Sequence, residues 1–232
     1  THLDAEDVAA FRRLTVKVTG TSTGSKAAGI LSVTAGTCES VVMTNLCTGT
    51  DYNAAEGCVY GFLGVPKGAK GKLPCFVIVQ CAGYGYCAPE ANFIREDMMT
   101  LTLNVHPWDT TAEGYREFFK KDGKENGAYM YRGCEAREKS YFRNAVLGCK
   151  TAVDYVIGRS DCSGELFYFG ASQGGGMGLI LTGLNKRISR AVFYVPAITD
   201  TMGCLAGRQS GWPSILENNS GTPDRRATAE KW

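Results

Sequence analysis

The segment Gly170-Ala-Ser172-Gln-Gly174 carries the sharpest chemical signal in the chain. An apolar strand-like run precedes it and a helix-like run follows, and a serine flanked by glycines in that setting can be a nucleophile. A sharp strand-to-helix turn strains the serine backbone and pushes its hydroxyl out at the carboxyl edge of a sheet. Glycines are needed on both sides because a Cβ there would strike the neighbouring strand or helix. The helix that follows lends its free N–H groups to negative charge developing on a substrate oxygen. Acyl transfer through an ester on Ser172 is the chemistry such a turn serves. A Gly/Ser turn without chemistry is the plain alternative, and the flanking elements favour the nucleophile.

A stabilised oxyanion needs two N–H donors. Gln173, directly after Ser172, supplies one from its backbone. The second is expected in the loop after the preceding buried strand, where Gly83-Tyr84-Gly85-Tyr86 stands, and Tyr84 is the candidate. The same stretch, as Gly83-x-Gly85-x-x-Ala88, also fits a loose dinucleotide-binding fingerprint. Pro89 in the turn, and Asn104 where a ribose-binding acid belongs, argue against that rival.

The proton acceptor is where the pattern breaks. The serine chemistry on this kind of turn takes its acid and then its histidine from later in the chain. The sequence has two histidines, His2 and His106, and both precede Ser172. His106 reads as a loop residue, and Asp200, after the next strand, is a weak candidate for the acid. The expectation is that the chain continues past Trp232 with an Asp and a His, each after a further strand. A second chain supplying them, or a catalytically dead hydrolase kept for binding, are the alternatives.

The elements that must position Ser172 follow an alternating rhythm. The run 74–79 is continuously apolar and bounded by turn residues, as a strand buried on both faces should be. Further buried strands are predicted at 98–105, 166–169 and 191–195. An amphipathic helix is predicted over 137–157, with apolar residues at 142, 146, 149, 153 and 156, and another over 177–184. Strand-helix-strand order gives a mostly parallel sheet with helices on both faces. Residues 4–14 suggest a short capped helix. Val/Thr/Gly-rich pieces at 14–18, 29–33, 40–46 and 57–65 suggest an antiparallel edge. One domain is expected, with residues 1–65 as that edge, 66–200 as the parallel core and 201–232 opening an incomplete C-terminal part.

Composition narrows the partners. With 25 basic and 23 acidic side chains the net charge is +2, which gives no electrostatic reason for nucleic acid or an anionic membrane as partner. No run of eighteen apolar residues is present. The ten cysteines include no Cys-x-x-Cys pair and have few histidines near them, so a metal site is not expected. Cys75, Cys149 and Cys162 read as core thiols. Cys38, Cys47, Cys58, Cys81 and Cys87 fall near turns, where one or two disulfides could form. That count tilts the expectation towards an exported protein, although the N-terminus has no signal-peptide pattern.

Several segments resemble one family. Lys72-Leu-Pro-Cys75 leading to Gly83-Tyr84, Tyr131-Arg-Gly133 and Ser140-Tyr-Phe-Arg143 are similar to carbohydrate esterase family seven. So are Gly170-Ala-Ser-Gln-Gly-Gly-Gly176 and Val195-Pro196. These are the acetyl xylan esterases and cephalosporin C deacetylases, and the likeness spans about residues 57–200. It implies the α/β-hydrolase fold, Ser172 as nucleophile, and the Tyr84 and Gln173 amides as oxyanion hole. It also implies acetate esters of sugars as substrates, with no cofactor. A serine peptidase of the oligopeptidase type shares the fold and is the enzyme rival.

Overall fold

The computed structural model describes residues 15–23, 36–44, 59–66, 69–81, 97–105, 129–134 and 139–216, with scattered positions between 113 and 136. Among the described residues seven strands form one sheet in the order β1-β2-β3-β5-β4-β6-β7. They are β1 Thr15–Thr23, β2 Gly36–Thr44, β3 Val59–Pro66, β4 Leu73–Val79 and β5 Met99–Asn104, then β6 Cys162–Ala171 and β7 Ile188–Tyr194. β1, β2 and β3 run antiparallel, and β3 joins β5 antiparallel. From β5 through β4 and β6 to β7 every pairing is parallel. The fold is thus α/β with a mostly parallel core and an antiparallel N-terminal edge.

The strand positions expected at 14–18, 40–46 and 57–65 correspond to β1, β2 and β3, with shifted ends. The piece at 29–33 and the helix at 4–14 lie outside the described residues.

Side-chain alternation divides the sheet into two faces. Cys75, Val77 and Val79 of β4 stand beside Met99, Leu101 and Leu103 of β5, and beside Leu166, Tyr168 and Gly170 of β6. All of these apolar side chains are buried in one cluster. On this face lie α1 (Tyr141–Ile157) and α2 (Gln173–Leu184). α1 contributes Ala145, Val146, Cys149, Ala152, Val153 and Val156, and α2 contributes Met177 and Leu181. Removing each large apolar side chain from water stabilises the fold by about 1.5–3 kcal/mol. The stripe on α1 repeats the spacing visible in the sequence. The helix begins at Tyr141, four residues later than expected. Ser140 occupies the N-cap position, and the Tyr141 N–H donates to the Arg132 carbonyl at 3.1 Å.

A second cluster of Phe119, Tyr129, Tyr141 and Phe142 packs against Trp212 and Ile198. Its rings meet edge to face or tilted, with Tyr129 and Tyr141 centroids 5.1 Å apart and Phe142 and Trp212 6.1 Å apart. Tyr129 belongs to a single 3-10 turn, Tyr129–Tyr131. This aromatic block ties the turn, the start of α1 and the segment after β7 together.

Candidate active site

β4 lies between β5, which follows it in the chain, and β6, which follows much later. The connections therefore leave in opposite directions around the carboxyl ends of β4 and β6, and open α/β sheets bind ligands at such a point. Ser172 stands there, between the last residue of β6 and the first of α2. Its backbone has φ 50° and ψ −117°, a region that L side chains rarely adopt and that the surroundings must enforce.

Hydrogen bonds to the end of β7 and from the segment after it enforce it. The Ser172 N–H donates to the Tyr194 carbonyl at 2.9 Å, and the Ala197 N–H donates to the Ser172 carbonyl at 2.8 Å. That segment is strained as well, with φ of 40° at Val195, 57° at Ile198 and 53° at Asp200. β-branched residues at positive φ are outliers, and strain of this sort gathers at functional sites. The Ile198 N–H donates to the Trp212 carbonyl at 2.8 Å, fixing the segment to the aromatic block.

The glycines serve close approach. A methyl on Gly170 would overlap the Gly174 carbonyl, and one on Gly174 would overlap the backbone carbonyls of Val79 and Gln80. The first turn of α2 can therefore sit hard against the ends of β4 and β6. The Tyr168 hydroxyl, buried beneath α2, donates to the Gly174 carbonyl.

Gln173 opens α2 and is fully buried. As the first helical residue, its N–H has no carbonyl one turn earlier in the helix to bond. That leaves it available to an oxygen placed over Ser172. Its side-chain Oε1 accepts a hydrogen bond from the Tyr129 hydroxyl at 2.6 Å. Nothing in the local sequence pointed to Tyr129.

Of the other expected residues, Tyr84 and the whole Gly83–Ala88 stretch lie outside the described residues, as do His2 and His106. Asp200 is described, and its carboxylate faces Arg208. The guanidinium donates to Oδ1 at 2.9 Å and to Oδ2 at 3.2 Å. Hydrogen bonding to Asp200 holds the Arg208 guanidinium more firmly charged than usual. Among the described residues no group of three or more His, Cys, Asp or Glu side chains could hold a metal ion. Cys75, Cys149 and Cys162 are buried free thiols, as expected of core cysteines, and Cys81 is an exposed free thiol. Cys47, Cys58 and Cys87 lie outside the described residues, and Cys38 is described only in its backbone.

Residues 41–204 match the family model for acetyl xylan esterase (AXE1), more than half of the chain. The chain belongs to the acetyl xylan esterase family. The match takes in β4, α1, β6, the Ser172 turn and β7. The acetyl esterase Axe7A of Xylanibacter ruminicola is 29% identical over 174 residues, covering 72% of this chain and 39% of that relative. The chain thus spans well under half the length of this family relative. The acetyl xylan esterase from Paenibacillus sp. R4 shares the fold with a TM-score of 0.65 at 19% identity, over 97% of this chain and 69% of that one. Acetyl xylan esterase 1 from Thermoanaerobacterium sp. JW/SL YS485 does so with a TM-score of 0.61 at 15% identity, over the same shares. Both likenesses bear on the fold, which is that of the α/β-hydrolase esterases.

Proposed function

We propose that the protein is a serine esterase that removes acetyl groups from acetylated xylan or xylo-oligosaccharides. The observation that carries this reading is the strained Ser172 at the carboxyl edge of β6, in a chain of the acetyl xylan esterase family. Ser172 Oγ attacks the acetyl carbonyl, and the new oxyanion sits against the Gln173 N–H and the Tyr84 N–H. A general base takes the hydroxyl proton and returns it to the departing sugar oxygen. Water then releases acetate from the acyl-enzyme. Each oxyanion donor is worth about 2.7–4 kcal/mol in the transition state. Family membership favours ester over peptide, since the matched model and Axe7A are named for acetyl esters.

The test compares hydrolysis of acetyl esters, butyryl esters, acetylated xylo-oligosaccharides and peptide substrates by the complete protein and its Ser172→Ala variant. Acetyl substrates should be cleaved, butyryl esters poorly and peptides not at all, with the variant inactive. Preference for a peptide would instead support the oligopeptidase alternative. Undiminished turnover by Ser172→Ala would remove the nucleophile.

A further inference from the structure

We propose that Tyr129 is a positioning residue, holding the Gln173 backbone N–H on the oxyanion through the buried hydrogen bond to its side chain. The inference rests on the reading of Ser172 and Gln173 as nucleophile and oxyanion donor, and extends it to a residue 44 positions earlier in the chain.

Burying a primary amide completely is costly, and a leucine would fill the same space without that penalty. Gln173 is fully buried, and its Nε2 finds no hydrogen-bond partner among the described residues. The side chain is therefore held by its other end, where the Tyr129 hydroxyl reaches Oε1 at 2.6 Å. Half-satisfied burial of this kind is poor economy for packing alone. It makes sense where orientation matters, because the backbone around Gln173 has little stiffness of its own. It follows a residue at φ 50°, and it opens a helix whose first turn continues with Gly174, Gly175 and Gly176. Glycine is the weakest ordinary helix former, so this turn has little intrinsic rigidity.

Tyr129 can serve as an anchor because it is itself held. It is only 5% exposed and is packed by Phe119, Tyr141 and Phe142 at centroid distances of 6.1, 5.1 and 6.2 Å. The same aromatic block reaches Trp212, whose carbonyl fixes Ile198 in the segment bonded to Ser172. Both sides of the turn, Gln173 by its side chain and Ser172 by its backbone, are thus referred to one rigid cluster.

The experiment is a double-substitution cycle in the complete protein with Tyr129→Phe, Gln173→Leu and both together. Active sites are counted with a fluorophosphonate probe, and Ser172→Ala is the control. Misplacing a reacting group by an ångström can cost about 100-fold, and removing an oxyanion donor about 100- to 1,000-fold. Tyr129→Phe should therefore lower kcat per titrated site by about 10-fold, with KM within about twofold. In the Gln173→Leu background, removing the Tyr129 hydroxyl should change kcat by less than about twofold. The proposal is overturned if Tyr129→Phe lowers only thermal stability and leaves kcat per site unchanged. It is equally overturned if the two substitutions act multiplicatively. Activity in Ser172→Ala would instead remove the underlying nucleophile reading, so the two failures are distinguishable.

Discussion

The Ser172 N–H donates to the carbonyl of Tyr194 at the end of β7, 2.9 Å away, and this bond helps hold the serine at φ 50°. The strain is stored by the neighbourhood and not by the serine, so it should be separable from the chemistry. Strained backbone of this sort costs on the order of 1–3 kcal/mol. Ser172→Gly should relieve part of it and raise stability by about 1 kcal/mol, or about 2–4 °C in Tm for a domain of this size. Ser172→Ala keeps a Cβ and should leave Tm nearly unchanged. Both should lose esterase activity. A Ser172→Gly variant melting below Ser172→Ala would show that the turn is not strained.

Two glycines of α2 should respond in opposite directions to alanine. A Cβ on Gly174 would overlap the backbone carbonyls of Val79 and Gln80, which cannot rotate away as a side chain would. Gly174→Ala should cost about 3 kcal/mol or more and take activity with it, because the helix start must lift off the sheet. Gly183 is exposed near the other end of the helix, with nothing within 4 Å of its Cβ position. Gly183→Ala should stabilise by about 0.5–1 kcal/mol through helix propensity, with activity intact. Chemical denaturation of the pair decides it.

These glycines also show what the sequence revealed and what it hid. The Ser172 turn was legible because an apolar run precedes it and the glycines fall at the required spacing. The start of α2 was not. Helix was expected from 177, yet it begins at Gln173, since three successive glycines suppress the helical signal while allowing the closest packing on β4. β6 begins at Cys162 and not at 166, because Ser163 and Glu165 are exposed and break the apolar run. β7 was cut short at its start for the same reason, with Ser189 and Arg190 exposed. Tyr129 left no local trace at all. Its partner lies far along the chain, and no periodicity reports a single hydrogen bond between a 3-10 turn and a distant helix.

The free thiols should divide by depth. Burial pushes the Cys75 and Cys149 thiols well above their usual range, Cys75 with a smaller contribution from Cys162 beside it. Thiolate is the reactive form, so these two should resist alkylation in the native state. Cys81 is exposed just beyond β4 and should be modified readily. Iodoacetamide labelling read by peptide mass spectrometry should find Cys81 labelled within minutes, and Cys75 and Cys149 only after unfolding. Cys149→Ser should cost about 2 kcal/mol, because a hydroxyl is then buried in the apolar core. Rapid native labelling of Cys149 would contradict the packing of α1 on the sheet.

The turn between α1 and β6 should give the fold a small acid-sensitive increment. Arg159 grips Asp161 with two bonds of 2.9 Å, Nε to Oδ1 and Nη2 to Oδ2, and the Asp161 carbonyl accepts the N–H of Leu73 at 2.8 Å. The hydrogen bonds from Arg159 hold the Asp161 carboxyl below the usual carboxylate range, more than its partial burial raises it. A carboxyl with a lower pKa folded than unfolded binds protons more readily when unfolded. Its stabilisation is therefore complete above the unfolded value of about 3.9, and disappears as pH falls through the folded value. The Asp161 side chain is 37% exposed, so solvent screens the pair and the increment should stay below about 1 kcal/mol. Arg159 also lies 5.9 Å from the Tyr155 ring centroid and donates to its hydroxyl at 3.2 Å. Arg159→Gln should thus lower stability by a part that persists at every pH and a part that belongs to Asp161. Thermal melts of both proteins from pH 7 to pH 3 separate the two. The gap in Tm should hold steady down to about pH 4 and narrow below it, without closing. A gap that widened towards pH 3 would reverse the sign of the linkage and exclude Asp161 as its source.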